Sequence, residues 1–180
     1  VDFIVAQTLS AFGAMDILVN NAAIIPASKN LVDTAPEAWR EVINVNLVAP
    51  AMLIRAVLPA MIEQKSGRII NVSSIGGRAG GRGRSAYRAS KAGLINLTQS
   101  VAAEVKEHGI DVTCICPGGT DTEGLWESLG PTIKGGKESL IKPDEIAALA
   151  LFLASGAGSA ITGTAIDAFG LSNPIFRSLP

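Results

Sequence analysis

The chain has 180 residues, 48% of them hydrophobic, which is enough for one domain with a buried core and too apolar for a disordered segment. Its formal net charge of −1 gives no electrostatic reason to expect a nucleic-acid or acidic-lipid partner. No uninterrupted apolar run reaches the roughly 18 residues of a membrane span. The longest, Ile146 to Ala154, reads as a core helix, and Val1-Asp2-Phe3 begins inside an amphipathic pattern without a basic-then-apolar leader.

In chain order, residues 3–12 carry the helical period and stop at Gly13. Asp16-Ile-Leu-Val-Asn20 reads as a short apolar strand. Thr34 and Glu37 have the spacing of a capping box, with Pro36 suited to the first turn. The helical pattern that follows reaches about Glu63, and Pro50 and Pro59 are expected to kink or divide it. Ser66-Gly67 ends it. Arg68 to Val72 is a second strand, and Gly76 to Gly83 a glycine-rich loop. Ala86 to Glu107 is a long helix, closed by His108-Gly109 with the histidine beside the negative end of the dipole. Ile110 to Cys116 is a third strand, stopped by Pro117-Gly118-Gly119. Residues 119–142 show no clear period and read as flexible. Pro143-Asp144-Glu145 opens a helix through Ala154, and Thr164 to Ala168 is the last strand.

Strands that are continuous apolar runs, alternating with helices, predict an α/β fold: one domain over 1–180, a Rossmann-like parallel sheet with helices on both faces. Cys114 and Cys116, separated by Ile115, are read as facing opposite sides of the third strand. They would then be unable to bridge and would pack as reduced thiols, which favours the cytoplasm. One histidine, and no cysteine pair at ligand spacing, give no metal site. Trp39 belongs to a helix face directed at the core. Trp126, in the aperiodic segment, is placed to cover a substrate or to pack under a loop.

In parallel sheets of this kind, ligands bind beyond the carboxyl ends of the strands. Those ends carry Asn20-Asn21-Ala22-Ala23, Ser73-Ser74 and Pro117-Gly118. Tyr87 and Lys91, four apart on one helix face, form a candidate proton donor and acceptor. A free phenol titrates near pH ~10, and a cation held beside it favours the phenolate.

Asn20-Asn-Ala-Ala, Asn44-Val-Asn46-Leu, Asn71-Val-Ser-Ser74, Ser85-Ala-Tyr87-Arg-Ala-Ser-Lys91-Ala and Pro117-Gly118 occur in that order, with Ser74 thirteen residues before Tyr87. Together with Ile161-Thr-Gly-Thr-Ala-Ile-Asp167 they resemble the short-chain dehydrogenase/reductase family over nearly the whole chain.

The resemblance implies an NAD- or NADP-dependent oxidoreductase that interconverts a secondary alcohol and a ketone, with a 3-oxoacyl thioester reductase-like enzyme as one form of it. Tyr87 would exchange the proton at the substrate oxygen. Lys91 would depress the Tyr87 pKa and hydrogen-bond the nicotinamide ribose, Ser74 would donate to the substrate oxygen, and Asn46 would hold a water linking Lys91 to solvent. Asn21, with Ala22 and Ala23, would contact the adenine side of the cofactor, and Asn20 would tie the strand to its neighbours. The backbone around Pro117, Gly118 and Thr120, with the Thr122 side chain, would hold the carboxamide. The family also implies a homodimer or homotetramer, consistent with long helices over 46–63 and 86–107 that are apolar on more than one face.

Several features depart from the family pattern. No glycine-rich phosphate turn precedes the first strand, so the chain is expected to be a partial domain whose first strand is an apolar sheet edge. NAD and NADP are not distinguishable without that region. Ala23, Thr120 and Asp167-Ala-Phe-Gly170 also differ from the usual residues.

Between Gln64 and Ala103 there is no acidic residue. Arg78, Arg82 and Arg84 in the glycine-rich loop are expected either to receive an anionic or carrier-bound substrate or to form a solvated or subunit-contacting loop. Rival readings are a catalytically inactive fragment or binding module, favoured by the absent phosphate turn, and a serine hydrolase. The retained Asn46, Ser74, Tyr87 and Lys91 favour the enzyme. The hydrolase lacks a partner, since His108 lies at the wrong end of the third strand.

Overall fold

A computed structural model of the chain describes residues 1–129 and 137–172. Four parallel strands, β1 (Ile17–Asn20), β2 (Gly67–Val72), β3 (Ile110–Pro117) and β4 (Thr164–Ala168), form a sheet in the order β1-β2-β3-β4. Helices α1 (Asp2–Phe12), α2 (Pro36–Ile43), α3 (Ala49–Gln64), α4 (Ser85–Val105), α5 (Glu123–Leu129) and α6 (Pro143–Ala154) surround it.

Alternation along the strands sorts the core into two layers. Ile69, Ile110 and Val112 face α1, α3 and α4, where they meet Val5, Ile54, Val57, Met61, Val101 and Val105. Ile70 and Ile115 face the other way and meet Leu153 and Ile146 of α6. The predicted parallel sheet covered on both faces is therefore what the chain forms. The first strand is its edge, with Ile17 and Val19 about half exposed.

Helix α1 ends as expected: Gly13 takes a left-handed φ of 76° and its N–H returns to the Leu9 carbonyl at 2.9 Å. Four local expectations are corrected. Thr34 does not cap α2, because its hydroxyl donates to the Asn30 carbonyl and Ala35 takes the cap position. Pro59 does not divide the next helix and lies inside α3; the break falls at Pro50, where a π-helical turn, Asn44–Val48, joins α2 to the first turn of α3. Residues 119–142 are not aperiodic throughout, since they contain α5 and a bridge from Thr120 to Ile141; residues 130–136 lie outside those described.

The fourth correction concerns the cysteines. Residues two apart on a strand share a face, so Cys114 and Cys116 lie together against Ile95 of α4. The hydrogen bond to Cys114, and then burial, push the Cys116 thiol up, so it stays protonated.

Pro36–Gln64 is one helical stretch whose most apolar part has a mean hydropathy of 1.8, long and apolar enough by length and composition to cross a membrane. A search for unbroken apolar runs passes over it because Asn44, Asn46 and Arg55 interrupt the pattern. Its Val42, Asn46, Ile54, Val57 and Met61 are buried within the domain.

The sheet is pinned below its carboxyl edge by a buried polar chain. Asn20 Nδ2 donates to Asn71 Oδ1 at 2.8 Å, and Asn71 Nδ2 donates to Thr98 Oγ1 at 2.9 Å. Asn71 is fully buried, so its replacement strands polar atoms that water cannot reach. Asn71→Ala should cost about 3 kcal/mol of stability in urea denaturation, whereas the exposed Asn96→Ala should cost less than about 0.5 kcal/mol.

Candidate active site

The four strands deliver their carboxyl ends to one side of the sheet, where a cavity of about 890 Å³ opens. Asn21, Ala22 and Ala23 line it from the end of β1, and Ser73 and Ser74 from the end of β2. Pro117, Gly118, Thr120 and Thr122 line it from the end of β3. Helix α4 contributes Tyr87, Arg88 and Lys91, with Tyr87 and Lys91 four residues apart on one face, and Arg84 lines the cavity from the position just before the helix. Of the predicted site residues, only Asn46 is absent from the cavity wall.

Ser74 ends β2 and opens a 3-10 turn, Ile75–Gly77, with its Oγ accepting from Gly76 N at 3.0 Å. That acceptor contact leaves the hydroxyl proton free to donate, and Ser74 acts on the Tyr87 phenol beside it. Burial raises the Tyr87 pKa above its ordinary value, and the Ser74 hydroxyl and then the Arg84 and Arg88 guanidiniums pull it back down. Two arginine neighbours thus act on the phenol as well as the lysine expected there.

The Lys91 Nζ lies 5.8 Å from the Tyr87 ring centroid and donates to the Val72 carbonyl at 2.7 Å. Only 3% of Lys91 is exposed, and burial lowers its pKa to about 8. The lysine backbone is fixed too, because Ser73 Oγ donates to its carbonyl at 2.7 Å.

The Asn46 side chain is tied into the fold. Its Oδ1 accepts from Ile24 N at 2.8 Å, and its Nδ2 donates to the Ile24 carbonyl at 3.0 Å and to Ser90 Oγ at 3.3 Å. Ser90 in turn donates to the Tyr87 carbonyl at 2.8 Å. The side chain therefore clamps the Asn21-Ala22-Ala23 loop to the helix that carries Tyr87. Pro50, four residues on, has no N–H to give the Asn46 backbone carbonyl.

The glycine-rich loop packs directly on α4. A Cβ at Gly77 would meet the backbone of Lys91 and Ala92 at 2.7–2.9 Å, contacts that no side-chain motion relieves. Gly77→Ala should cost about 1–3 kcal/mol and lower turnover by displacing Lys91, read by thermal unfolding and kinetics on the same sample.

The loop arginines divide. Arg78 is committed to β4, with Nε on Asp167 Oδ1 at 2.8 Å and a terminal nitrogen on the Ala165 carbonyl at 2.6 Å. Arg82 contacts Asn30 at the rim and does not line the cavity. Arg84 does line it, from a left-handed φ of 55° that costs a residue with a Cβ roughly 1 kcal/mol or more. Arg88, which sequence reasoning did not single out, lies beside it.

Trp126 does not line the cavity; its Nε1 donates to Asp121 Oδ1 at 2.8 Å, and its α5 neighbours Gly124 and Leu125 form the wall instead. Trp39 is half-buried, with Nε1 on Ser85 Oγ at 3.2 Å. The Thr122 hydroxyl accepts from Leu125 N at 3.3 Å and so also caps α5. Sequence reasoning misses Ser90 and Thr98; the one available signal is small polar residues recurring on the apolar face of α4.

The short chain dehydrogenase family model matches residues 1–130 of this chain. The chain belongs to the short-chain dehydrogenase/reductase family. It is 39% identical over 171 residues to a 3-oxoacyl-[acyl-carrier-protein] reductase of Chlamydia muridarum, covering 92% of this chain and 68% of that one. It is 38% identical over 174 residues to an acetoacetyl-CoA reductase of Shinella zoogloeoides, covering 92% and 71%. The crystal structure of a 3-ketoacyl-(acyl-carrier-protein) reductase from Brucella melitensis, complexed with NADH, superimposes with a TM-score of 0.86 at 31% identity. That match covers 95% of this chain and 73% of the Brucella chain. This short-chain dehydrogenase is accordingly an oxidoreductase, and the strand-end cavity is its candidate active site.

Proposed function

We propose that this short-chain dehydrogenase interconverts a ketone and its secondary alcohol with NAD or NADP, and that Tyr87 exchanges the proton at the substrate oxygen. The observation that carries the reading is the convergence of Ser74, Tyr87 and Lys91, from β2 and α4, on one cavity. That cavity has the volume of a small-molecule site, and its wall supplies what a nicotinamide nucleoside needs. Asn21 offers an amide and Lys91 an ammonium for ribose hydroxyls, and the backbone from Pro117 to Thr120, with Thr122, offers polar groups for a carboxamide. When bound, the nicotinamide supplies or accepts the hydride.

The chain's own residues do the rest. Ser74, its acceptor capacity already engaged by Gly76 N, donates to the substrate oxygen and steadies the negative charge that develops there. Tyr87 gives its proton to that oxygen in reduction and takes it back in oxidation. Lys91 holds the ribose and stays charged below about pH 8. Asn46 and Ser90 fix the loop after β1 and the backbone of Tyr87 relative to each other. The relatives reduce 3-oxoacyl thioesters by name, which makes such compounds one substrate class to try. We further propose that the chain assembles with copies of itself, through exposed apolar residues such as Val48 and Met52.

The test is NAD(P)H oxidation by a panel of ketones and 3-oxoacyl thioesters. Ketone-dependent turnover that Ser74→Ala lowers about 100-fold supports the reading. Ketone-independent coenzyme loss, or activity unchanged in Ser74→Ala, contradicts it.

A further inference from the structure

Three cations, Arg84, Arg88 and Lys91, line the cavity, and among the described residues no carboxylate does. Lys91 has a role in the reading above; the arginines do not. Elsewhere the chain pairs its buried-side arginines: Arg68 with Asp111 at 2.9 Å, and Arg78 with Asp167 at 2.8 Å. Among the described residues neither Arg84 nor Arg88 has an acidic partner. Each gives one terminal nitrogen to a backbone carbonyl, Arg84 to Ser128 at 3.0 Å and Arg88 to Ala79 at 3.1 Å.

Among the described residues the buried Arg84 Nε has no acceptor; the Arg68 Nε is in the same state, but its guanidinium is paired with Asp111. An orphaned buried donor on a strained residue marks a place where a ligand supplies what the protein does not.

We propose that Arg84 and Arg88 form an anion-binding subsite beside Tyr87, and that the substrate is a small oxo acid or its hydroxy acid. This rests on the reaction proposed above and narrows its substrate class. Arg84 and Arg88 stand three residues before and one after Tyr87, and both line the same cavity and act on its phenol. An anion held there sits a few bonds from the carbonyl, on the same small molecule. The phosphates of a carrier arm or of coenzyme A hang at the far end of a long chain and do not reach this subsite while the thioester carbonyl is at Tyr87. A guanidinium fork suits either a carboxylate or a phosphate monoester, and the two are told apart by trial. Ile75 and Leu125 give the short apolar part of such a molecule a wall.

The experiment compares kcat/KM for acetoacetate, methyl acetoacetate and acetoacetyl-CoA, and for hydroxyacetone phosphate and hydroxyacetone. It uses the full chain with coenzyme and the variants Arg84→Gln, Arg88→Gln and Tyr87→Phe, with Arg82→Gln as a charge control outside the cavity. One anionic ketone is expected to exceed its neutral counterpart, and acetoacetyl-CoA, at least tenfold. Arg84→Gln should cost that anion about 10- to 100-fold and the neutral ketone less than about threefold, with Arg88→Gln acting in the same direction. Arg82→Gln should leave the ratio unchanged.

Preference for the thioester, equal losses on charged and neutral ketones, or activity on neither anion overturns the proposal. Wild-type protein gives an independent reading should Arg84→Gln not fold: rising salt should lower kcat/KM for the anion and not for the neutral ketone. Activity that survives in Tyr87→Phe would remove the reaction reading instead, whatever the arginine variants show.

Discussion

Tyr87→Phe is expected to lower kcat by about 10²- to 10⁴-fold while leaving the fold intact, because it removes one oxygen and nothing that the core needs. Tyr87 is half-buried on the cavity wall, and its ring keeps its place when the hydroxyl is lost. The loss should fall on kcat more than on coenzyme binding, since the phenol acts on the substrate oxygen. Stopped-flow reduction at saturating coenzyme, with circular dichroism of the same sample, separates the two. A variant within tenfold of the wild type would assign the proton to another group.

Lys91→Met should give a protein that is nearly inactive and more stable at neutral pH. The lysine is 3% exposed and has one hydrogen bond, to the Val72 carbonyl, against the cost of burying its charge. Burial brings its pKa from 10.5 to about 8. Between those values the unfolded chain still holds a proton that the folded chain has released. Unfolding therefore takes up a proton in that window, and stability rises with pH across it.

Below about pH 8 both states are protonated and the penalty is fully present. Methionine fills the same space without charge, so at pH 7 the variant should gain about 1–2 kcal/mol, net of the lost hydrogen bond. The gain should shrink towards pH 10, and turnover should fall at least about 100-fold at both pH values. Denaturation at pH 7 and pH 10 reads the first part. A variant less stable than wild type at pH 7 would mean that the Val72 contact outweighs desolvation.

The strands were legible because their apolar runs are bounded by polar and glycine stops, and Thr164–Ala168 was placed to the residue. Tyr87, Lys91 and Ser74 were legible because helical spacing and strand ends fix where such residues point. What the sequence did not disclose has physical causes. The π-helical turn at Asn44–Val48 conserves the helical pattern while shifting its phase, so Pro50 signals a break there without giving its type. The partner of Lys91 is a backbone carbonyl, which carries no sequence signal. Arg78, Arg82 and Arg84 looked alike in one loop, yet Asp167, which captures the first of them, lies 89 residues away. The cysteine faces were misassigned by one step of strand alternation, and the period of two settles the matter.

Tyr87 is the only tyrosine in the chain, so the ultraviolet absorbance of phenolate reports its ionisation without interference. The most direct test of its role is to titrate that absorbance in the coenzyme complex and to measure, over the same pH range, the rate of alcohol oxidation. If Tyr87 is the base, the rate rises with the phenolate and the two midpoints agree within about half a pH unit. Midpoints more than about one unit apart, or a rate that ignores the ionisation of Tyr87, would show that another group carries the proton.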